Sequence, residues 1–195
     1  MRDFSFSNLD IILASKSPRR QYLLKELGLT FKTEHRDVDE SFSSTLRAEE
    51  IPLFLCKKKA DAFEGSLGNN TVVITADTIV WVQGQVLNKP SGASEAKAML
   101  QLLSGKYHDV FTGVCLKSER KTHSFYSSTR VWFKTLSTEE IDYYVANYQP
   151  FDKAGAYGAQ EWIGYIGVEK IEGSYFNVMG LPLKELFEAL SAHFV

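Results

Sequence analysis

The sequence predicts an α/β protein, a mixed and twisted sheet with helices packed on it. Three observations carry that expectation. Strand-like and helix-like segments alternate through the early part of the chain; two long strand-like segments joined by a short turn occupy the middle; and hydrophobic residues make up 44% of the 195 residues. Such a chain can bury a sizeable core, in one or two lobes, and with no repeat, low-complexity tract or long linker it reads as a single domain over residues 1–195.

The first element is Ile11-Ile-Leu-Ala14, an apolar run that reads as a short buried strand. Ser17 follows at a helix N-cap position and Pro18 at the first helical position, where its missing N–H costs nothing. Leu23, Leu24 and Leu27 line one face of that helix, and Gly28 suits its end. The strand-to-helix turn carries two hydroxyls, Ser15 and Ser17, and two guanidiniums, Arg19 and Arg20. Positive charge at a helix N-terminus opposes the helix dipole, and a bound anion would remove the conflict. Two readings stand: a phosphate site, or a capped helix with solvated arginines.

Thr30 to His35 reads as a strand, followed by Asp37-Val-Asp-Glu40, a loop whose carboxylates form either a hard-cation site or a solvated turn. A helix is expected from about Glu49 to Phe63 with Pro52 in its first turn. Lys59 falls in the same stripe as Ile51, Leu55 and Ala62, so it must snorkel or find an anion. Thr71 to Val82 is the strongest strand signal and reads as a central strand covered on both faces. Asp77 interrupts it. Of two readings, a bend or strand end facing a cleft or a buried hydrogen-bonding residue, the first is preferred, because function clusters where local rules are broken.

Gln83-Gly84 is a tight turn, Val86-Leu87 returns, and Asn88-Lys89-Pro90 ends the pairing. A helix follows over Ala93–Leu103 with Ser94 or Ser91 as cap and Gly105 at its end. Tyr107–Lys117 and Lys121–Lys134 are the long antiparallel pair. Ser137-Thr-Glu-Glu140 is a capping box for a helix ending near Asn147. Pro150 to Gln160 is rich in small residues, which let a backbone pass close to a ligand or a neighbouring element. Ile163 to Ile171 reads as the last strand, and Asn177 to Leu183 leads into a C-terminal helix with Pro182 near its first turn. A cleft between two lobes would collect the first turn, the carboxylate loop, Asp77 and the lysines.

Composition narrows the function classes. Formal net charge is -2, with no lysine or arginine excess to suggest nucleic-acid binding. No apolar run reaches the roughly 18 residues of a membrane span. Met1-Arg-Asp-Phe-Ser5 lacks the apolar stretch of a signal peptide. Cys56 and Cys115 have no Cys or His at zinc-ligand spacing and read as two buried thiols in a reducing, cytoplasmic setting.

The chain resembles the Maf family of nucleoside triphosphate pyrophosphatases. The matching segments are Leu13-Ala-Ser-Lys-Ser-Pro-Arg-Arg20, Val38-Asp-Glu40, Lys59-Ala60, Ala76-Asp-Thr78, Lys89-Pro90, and Leu103-Ser-Gly105 with His108-Asp-Val110. Thr112-Gly-Val114, Asp152-Lys-Ala-Gly-Ala-Tyr-Gly158 with Gln160, and Asn177-Val-Met-Gly-Leu-Pro182 complete the set, in the family's order. The likeness runs from about Ile11 to the C-terminal helix. It implies an elongated α/β fold shared with inosine triphosphate pyrophosphatases, with two lobes around a cleft. It also implies hydrolysis of a nucleoside triphosphate between its α and β phosphates with a divalent cation, magnesium or manganese, in housekeeping of the nucleotide pool. By family analogy alone, the partner is a second copy in a homodimer.

On that resemblance each residue takes a role. Asp77 would be the general base and, with Glu40, would hold the cation, Asp39 being a secondary candidate. Ser15, Ser17, Arg20, Lys59 and Lys89 would bind the phosphates. Arg19, Thr78 and Gln160 match the positions that set substrate choice in the dTTP/UTP branch; the 7-methyl-GTP branch typically has Trp where this chain has Arg19. Gln160 would face the base edge, with Arg19 and Thr78 shaping its pocket. Lys16 and Pro52 depart from the family pattern without touching a catalytic group. The alternatives are a nucleotide-binding regulator of cell division with little turnover, a 7-methyl-GTP pyrophosphatase, and a nucleic-acid-binding protein, which the charge balance disfavours.

Overall fold

The computed structural model describes residues 6–194; the Met1–Ser5 terminus discussed above lies outside them. Among these residues the elements are β1 (Asp10–Leu13), α1 (Pro18–Glu26), β2 (Phe31–Thr33), α2 (Glu50–Asp61), β3 (Thr71–Val82), β4 (Gln85–Leu87) and α3 (Ala93–Leu103). They continue with β5 (Tyr107–Lys117), β6 (Thr122–Phe133), α4 (Thr138–Tyr148), α5 (Trp162–Gly167), β7 (Val168–Glu172), α6 (Tyr175–Met179) and α7 (Leu183–His193), with a short 3₁₀ turn at Ala154–Ala156. The seven strands form one sheet in the order β2-β1-β3-β5-β6-β7, with β4 paired to β3. β1 is parallel to both β2 and β3, while β3–β4 and β6–β7 are antiparallel. The sheet is therefore mixed, as the alternation of elements predicts.

By its internal contacts the chain divides into two compact units. The first comprises residues up to Asp77, Thr112–Ser127 and Gly180 onward; the second comprises Thr78–Phe111 and Ser128–Met179.

In the first unit, α1 starts as its capping signals dictate. Ser17 is the N-cap, its hydroxyl accepting from the Arg20 N–H, and Gly28 beyond the helix end takes a left-handed φ of 79°. α2 lies against β3 through a satisfied buried hydroxyl: Thr75 Oγ1 donates to the Cys56 carbonyl at 2.6 Å. Cys56, Ala60 and Cys115 pack together, and both cysteines are free and buried. Burial raises both thiols, Cys115 to about 11, so neither is a reactive thiolate at neutral pH. A Cβ at Gly113 would stand 2.4 Å from the Pro52 carbonyl carbon, so β5 passes the first turn of α2 at a place only glycine permits.

The second unit is built on Val80, Leu100, Leu103, Val110, Phe133, Tyr144 and Ile163, which belong to one buried cluster. α4 opens on the expected capping box, with both hydrogen bonds between Ser137 and Glu140 present. Gly155 (φ 67°) brings the small-residue segment against β3, since a Cβ there would meet the Val80 side chain at 2.9 Å. Of the two readings of that segment, close approach to a neighbouring element holds at this glycine.

Several expectations are corrected. Asp77 is not at a bend or strand end; it sits inside the continuous strand β3. Neither Ser91 nor Ser94 caps α3: the N-cap is Gly92, and Ser91 instead donates from its N–H and hydroxyl to the Glu95 carboxylate at 2.7 and 2.6 Å. The strand expected over Ile163–Ile171 is half helix, α5, and half strand, β7. Its β-branched and aromatic residues mimic a strand, but Gly164 lies so close to the Ala159 carbonyl that a Cβ would stand 2.1 Å from that oxygen, and the turn packs where a side chain could not. β2 is shorter than expected, α6 was not expected, and Pro182 is the N-cap of α7.

Candidate active site

The turn after β1 is tightly wired. Ser15 is buried, and its hydroxyl accepts from the Ser17 N–H at 3.1 Å. Gln21 donates to the Ser15 carbonyl at 3.4 Å. Arg20 is anchored: its Nε donates to the Gly180 carbonyl and its Nη1 to the Ala76 carbonyl, each at 2.8 Å. Desolvation lowers its pKa, while the charges of Asp77 and Glu40 oppose that fall. Arg20 thus ties the helix start to the residue before Asp77, a role that the sequence did not disclose. Arg19 is half-buried at the second helical position.

Lys59 has its anion. Its ammonium is 2.6 Å from Asp77 Oδ1 and 2.9 Å from Glu40 Oε1. The Lys59 and Asp77 side chains are each only 13% exposed, so this pair is far less screened than the surface bridges around it. The lysine enters from α2 because its helical stripe is the core-facing one, and the carboxylate enters from the middle of β3. The carboxylate loop splits. Glu40 joins Lys59, whereas Asp39 accepts from Ser41 and Lys58 and is exposed, its carboxyl held down to about 2 chiefly by the Ser41 hydroxyl. Asp37 is exposed too, with Lys16 at 3.3 Å and His35 at 2.9 Å.

The remaining candidates lie in the second unit, whose division from the first falls between Asp77 and Thr78. Thr78 is half-buried on β3. Lys89 is exposed just after β4 and has no ion pair or hydrogen bond among the described residues. Gln160 is half-buried in the turn before α5. Around it stands a cluster that sequence reasoning missed: Lys153 is 2.9 Å from Glu161, and the Tyr144 hydroxyl donates to the same carboxylate. The available signals were a lysine inside a run of small residues and the family likeness of Asp152–Gly158, neither of which indicates the lysine's partner.

A family model described as Maf-like protein matches residues 10–193. The chain belongs to the Maf family. A protein of Bacteroides fragilis named dTTP/UTP pyrophosphatase is 52% identical over 188 residues, covering 94% of this chain and 97% of its own. A Flavobacterium psychrophilum protein of the same name is 49% identical, covering 96% of each chain. Among solved structures, the Ham1 protein of Staphylococcus aureus resembles 64% of this chain and 71% of its own at 16% identity and a TM-score of 0.46. The Maf match encloses both units and every candidate residue named above.

Proposed function

We propose that this Maf protein is a nucleoside triphosphate pyrophosphatase that hydrolyses dTTP and UTP to the monophosphate and pyrophosphate. The observation that carries the reading is the single ammonium of Lys59 held between Asp77 and Glu40, with the Asp77 side chain largely covered. A carboxylate so placed can take a proton from water, and a lysine beside it can turn to phosphate oxygens once the substrate brings its own negative charge. The names of relatives about half identical over nearly their whole length support the substrate.

In this reading one P–O bond forms to water, the bridging bond between the α and β phosphates breaks, and Asp77 accepts the water's proton. Ser15, Ser17, Arg20, Lys59 and Lys89 hold the phosphates and the charge that develops on the leaving pyrophosphate. Arg20 keeps part of its donor set on backbone carbonyls, so its share is to fix the turn as well as to supply charge. Arg19, Thr78 and Gln160 select the pyrimidine.

The residues fit a divalent cation. Glu40 and Asp77 both reach one ammonium, so their oxygens converge on a point that a cation can take. No cluster of three or more candidate ligands occurs among the described residues, which suits magnesium or manganese bound by one or two carboxylates plus substrate phosphates. When bound, the cation would neutralise phosphate charge.

Product analysis tests the reaction. With dTTP or UTP and magnesium, monophosphate and pyrophosphate should appear in equal amounts. Diphosphate with inorganic phosphate, or binding with no turnover, would overturn the reading.

A further inference from the structure

We infer that a largely covered Tyr144–Glu161–Lys153 bridge positions Gln160 and so sets the discrimination between uracil and cytosine. The inference rests on the reading of Gln160 as the base-facing residue. The turn that carries Gln160 is held from both flanks. On one side the Gly158 N–H donates to the Tyr144 hydroxyl oxygen at 3.1 Å, and that hydroxyl donates to Glu161 Oε2. On the other side Lys153 Nζ is 2.9 Å from Glu161 Oε1 and donates to Asp152 at 2.7 Å. The Glu161 N–H closes the turn onto the Gly158 carbonyl at 3.0 Å, and the Glu161 carbonyl accepts from the N–H groups of Gly164 and Tyr165 at 2.8 and 3.2 Å. The Tyr165 hydroxyl donates to the Gln160 carbonyl. A Cβ at Gly158 would lie 2.8 Å from the Glu161 carboxyl carbon, so the carboxylate is packed against the turn that it fixes.

Within this frame the Gln160 amide itself makes no hydrogen bond among the described residues. The groups that hold the turn are committed and the Gln160 amide is not, the arrangement expected of a group kept for a ligand. Its chemistry matches the problem. Uracil offers an N–H and a carbonyl where cytosine offers a ring acceptor and an amine, and an amide can pair with either edge. Discrimination then depends on how firmly the amide is presented, because a mobile turn would let it meet both edges. Stability gives little reason for such a bridge, since desolvation cancels much of what a covered ion pair gains. Tyr144 is fully buried, and burial raises the pKa of its phenol, which therefore stays a donor to Glu161 at all ordinary pH.

UTP and CTP share sugar and phosphates, so the ratio of their kcat/KM values reads the base edge alone. That ratio is measured for the wild type, Gln160→Ala, Tyr144→Phe, Glu161→Gln and the double variant Gln160→Ala/Tyr144→Phe, with Tm recorded for each. Gln160→Ala should lower the ratio, and Tyr144→Phe should lower it about tenfold, the worth of one net hydrogen bond. In the Gln160→Ala background the same Tyr144→Phe change should move it less than about twofold, because the two residues act as one device. Glu161→Gln, nearly isosteric, should behave as Tyr144→Phe does if that variant folds poorly. A ratio that falls in Gln160→Ala but stays at the wild-type value in Tyr144→Phe and Glu161→Gln overturns the bridge and leaves Gln160 as the reader. Parallel losses for UTP and CTP in the bridge variants overturn it equally. An unchanged ratio in Gln160→Ala removes the base-facing reading, and the bridge falls with it.

Discussion

Lys59 in the first unit and Lys153 in the second each stand between two carboxylates, Asp77 with Glu40 and Asp152 with Glu161. Both lysine side chains are largely covered, at 13% and 10% exposure. The difference lies in what happens to the remaining acceptors. Around Lys153, the second oxygen of Glu161 is taken by the Tyr144 hydroxyl. Around Lys59, Asp77 Oδ2 accepts no hydrogen bond among the described residues. A lysine–carboxylate cluster closed by a phenol holds backbone in place; one left open at an acceptor can take up a proton or a cation. The two should therefore respond differently when broken.

The largest effect is expected at the open acceptor. Asp77→Asn is nearly isosteric and should lower kcat by roughly 10²–10⁴-fold with little change in Tm. Turnover near the wild-type value would show that the open cluster is not the base and would erase the contrast.

Lys59→Ala removes the shared ammonium and leaves Asp77 covered without its ion-pair partner. Turnover should fall steeply, and stability should fall by roughly 1–3 kcal/mol, the cost of stranding a covered polar group. Equilibrium denaturation and kcat measured together check this. Lys89→Ala is the contrasting case: an exposed lysine with no partner among the described residues should cost turnover without stability. If the two lysine variants lost equal stability, the distinction between a built cluster and a solvated charge would be wrong.

Most of the first region was legible from the sequence because its signals are local. Ser17 and Pro18 mark a helix start, Lys59 breaks an apolar stripe, and Asp77 breaks an apolar strand; each anomaly lies within one element. What was not legible is pairing at long range. Nothing in the sequence says that Arg20 reaches the carbonyls of Gly180 and Ala76, or that Glu40 rather than Asp39 turns to Lys59. The second region was nearly silent for the same reason. Tyr144, on the core face of α4, reads as an ordinary core aromatic, and its bond to Glu161 appears only once the turn is folded onto it. α5 was missed because the close approach of Gly164 to the Ala159 backbone is a contact that no periodicity encodes.

An effect confined to acid pH concerns His108, buried in the second unit. Its Nε2 pairs with the Tyr157 hydroxyl at 2.7 Å, and its Nδ1 has no partner among the described residues. Burial pulls its pKa from 6.5 down to about 4. Between those values the unfolded chain binds a proton that the folded chain refuses. Stability from this group is therefore complete above about pH 6.5, is lost progressively as pH falls toward about 4, and falls no further below that. The loss should amount to about 3 kcal/mol, and His108→Gln should flatten that part of the pH–stability curve. An unchanged slope in the variant would mean that carboxylates elsewhere govern the acid limb.

The most direct test of the account is substrate preference, measured as kcat/KM for dTTP, UTP, CTP, dATP, GTP and 7-methyl-GTP with magnesium and with manganese, in the wild type and in Arg19→Trp. dTTP and UTP should lead the panel with either metal and Arg19→Trp should narrow their lead, since an indole offers a stacking face where the guanidinium offers donors to oxygen. A wild-type enzyme that preferred 7-methyl-GTP, or that hydrolysed none of the panel, would contradict it.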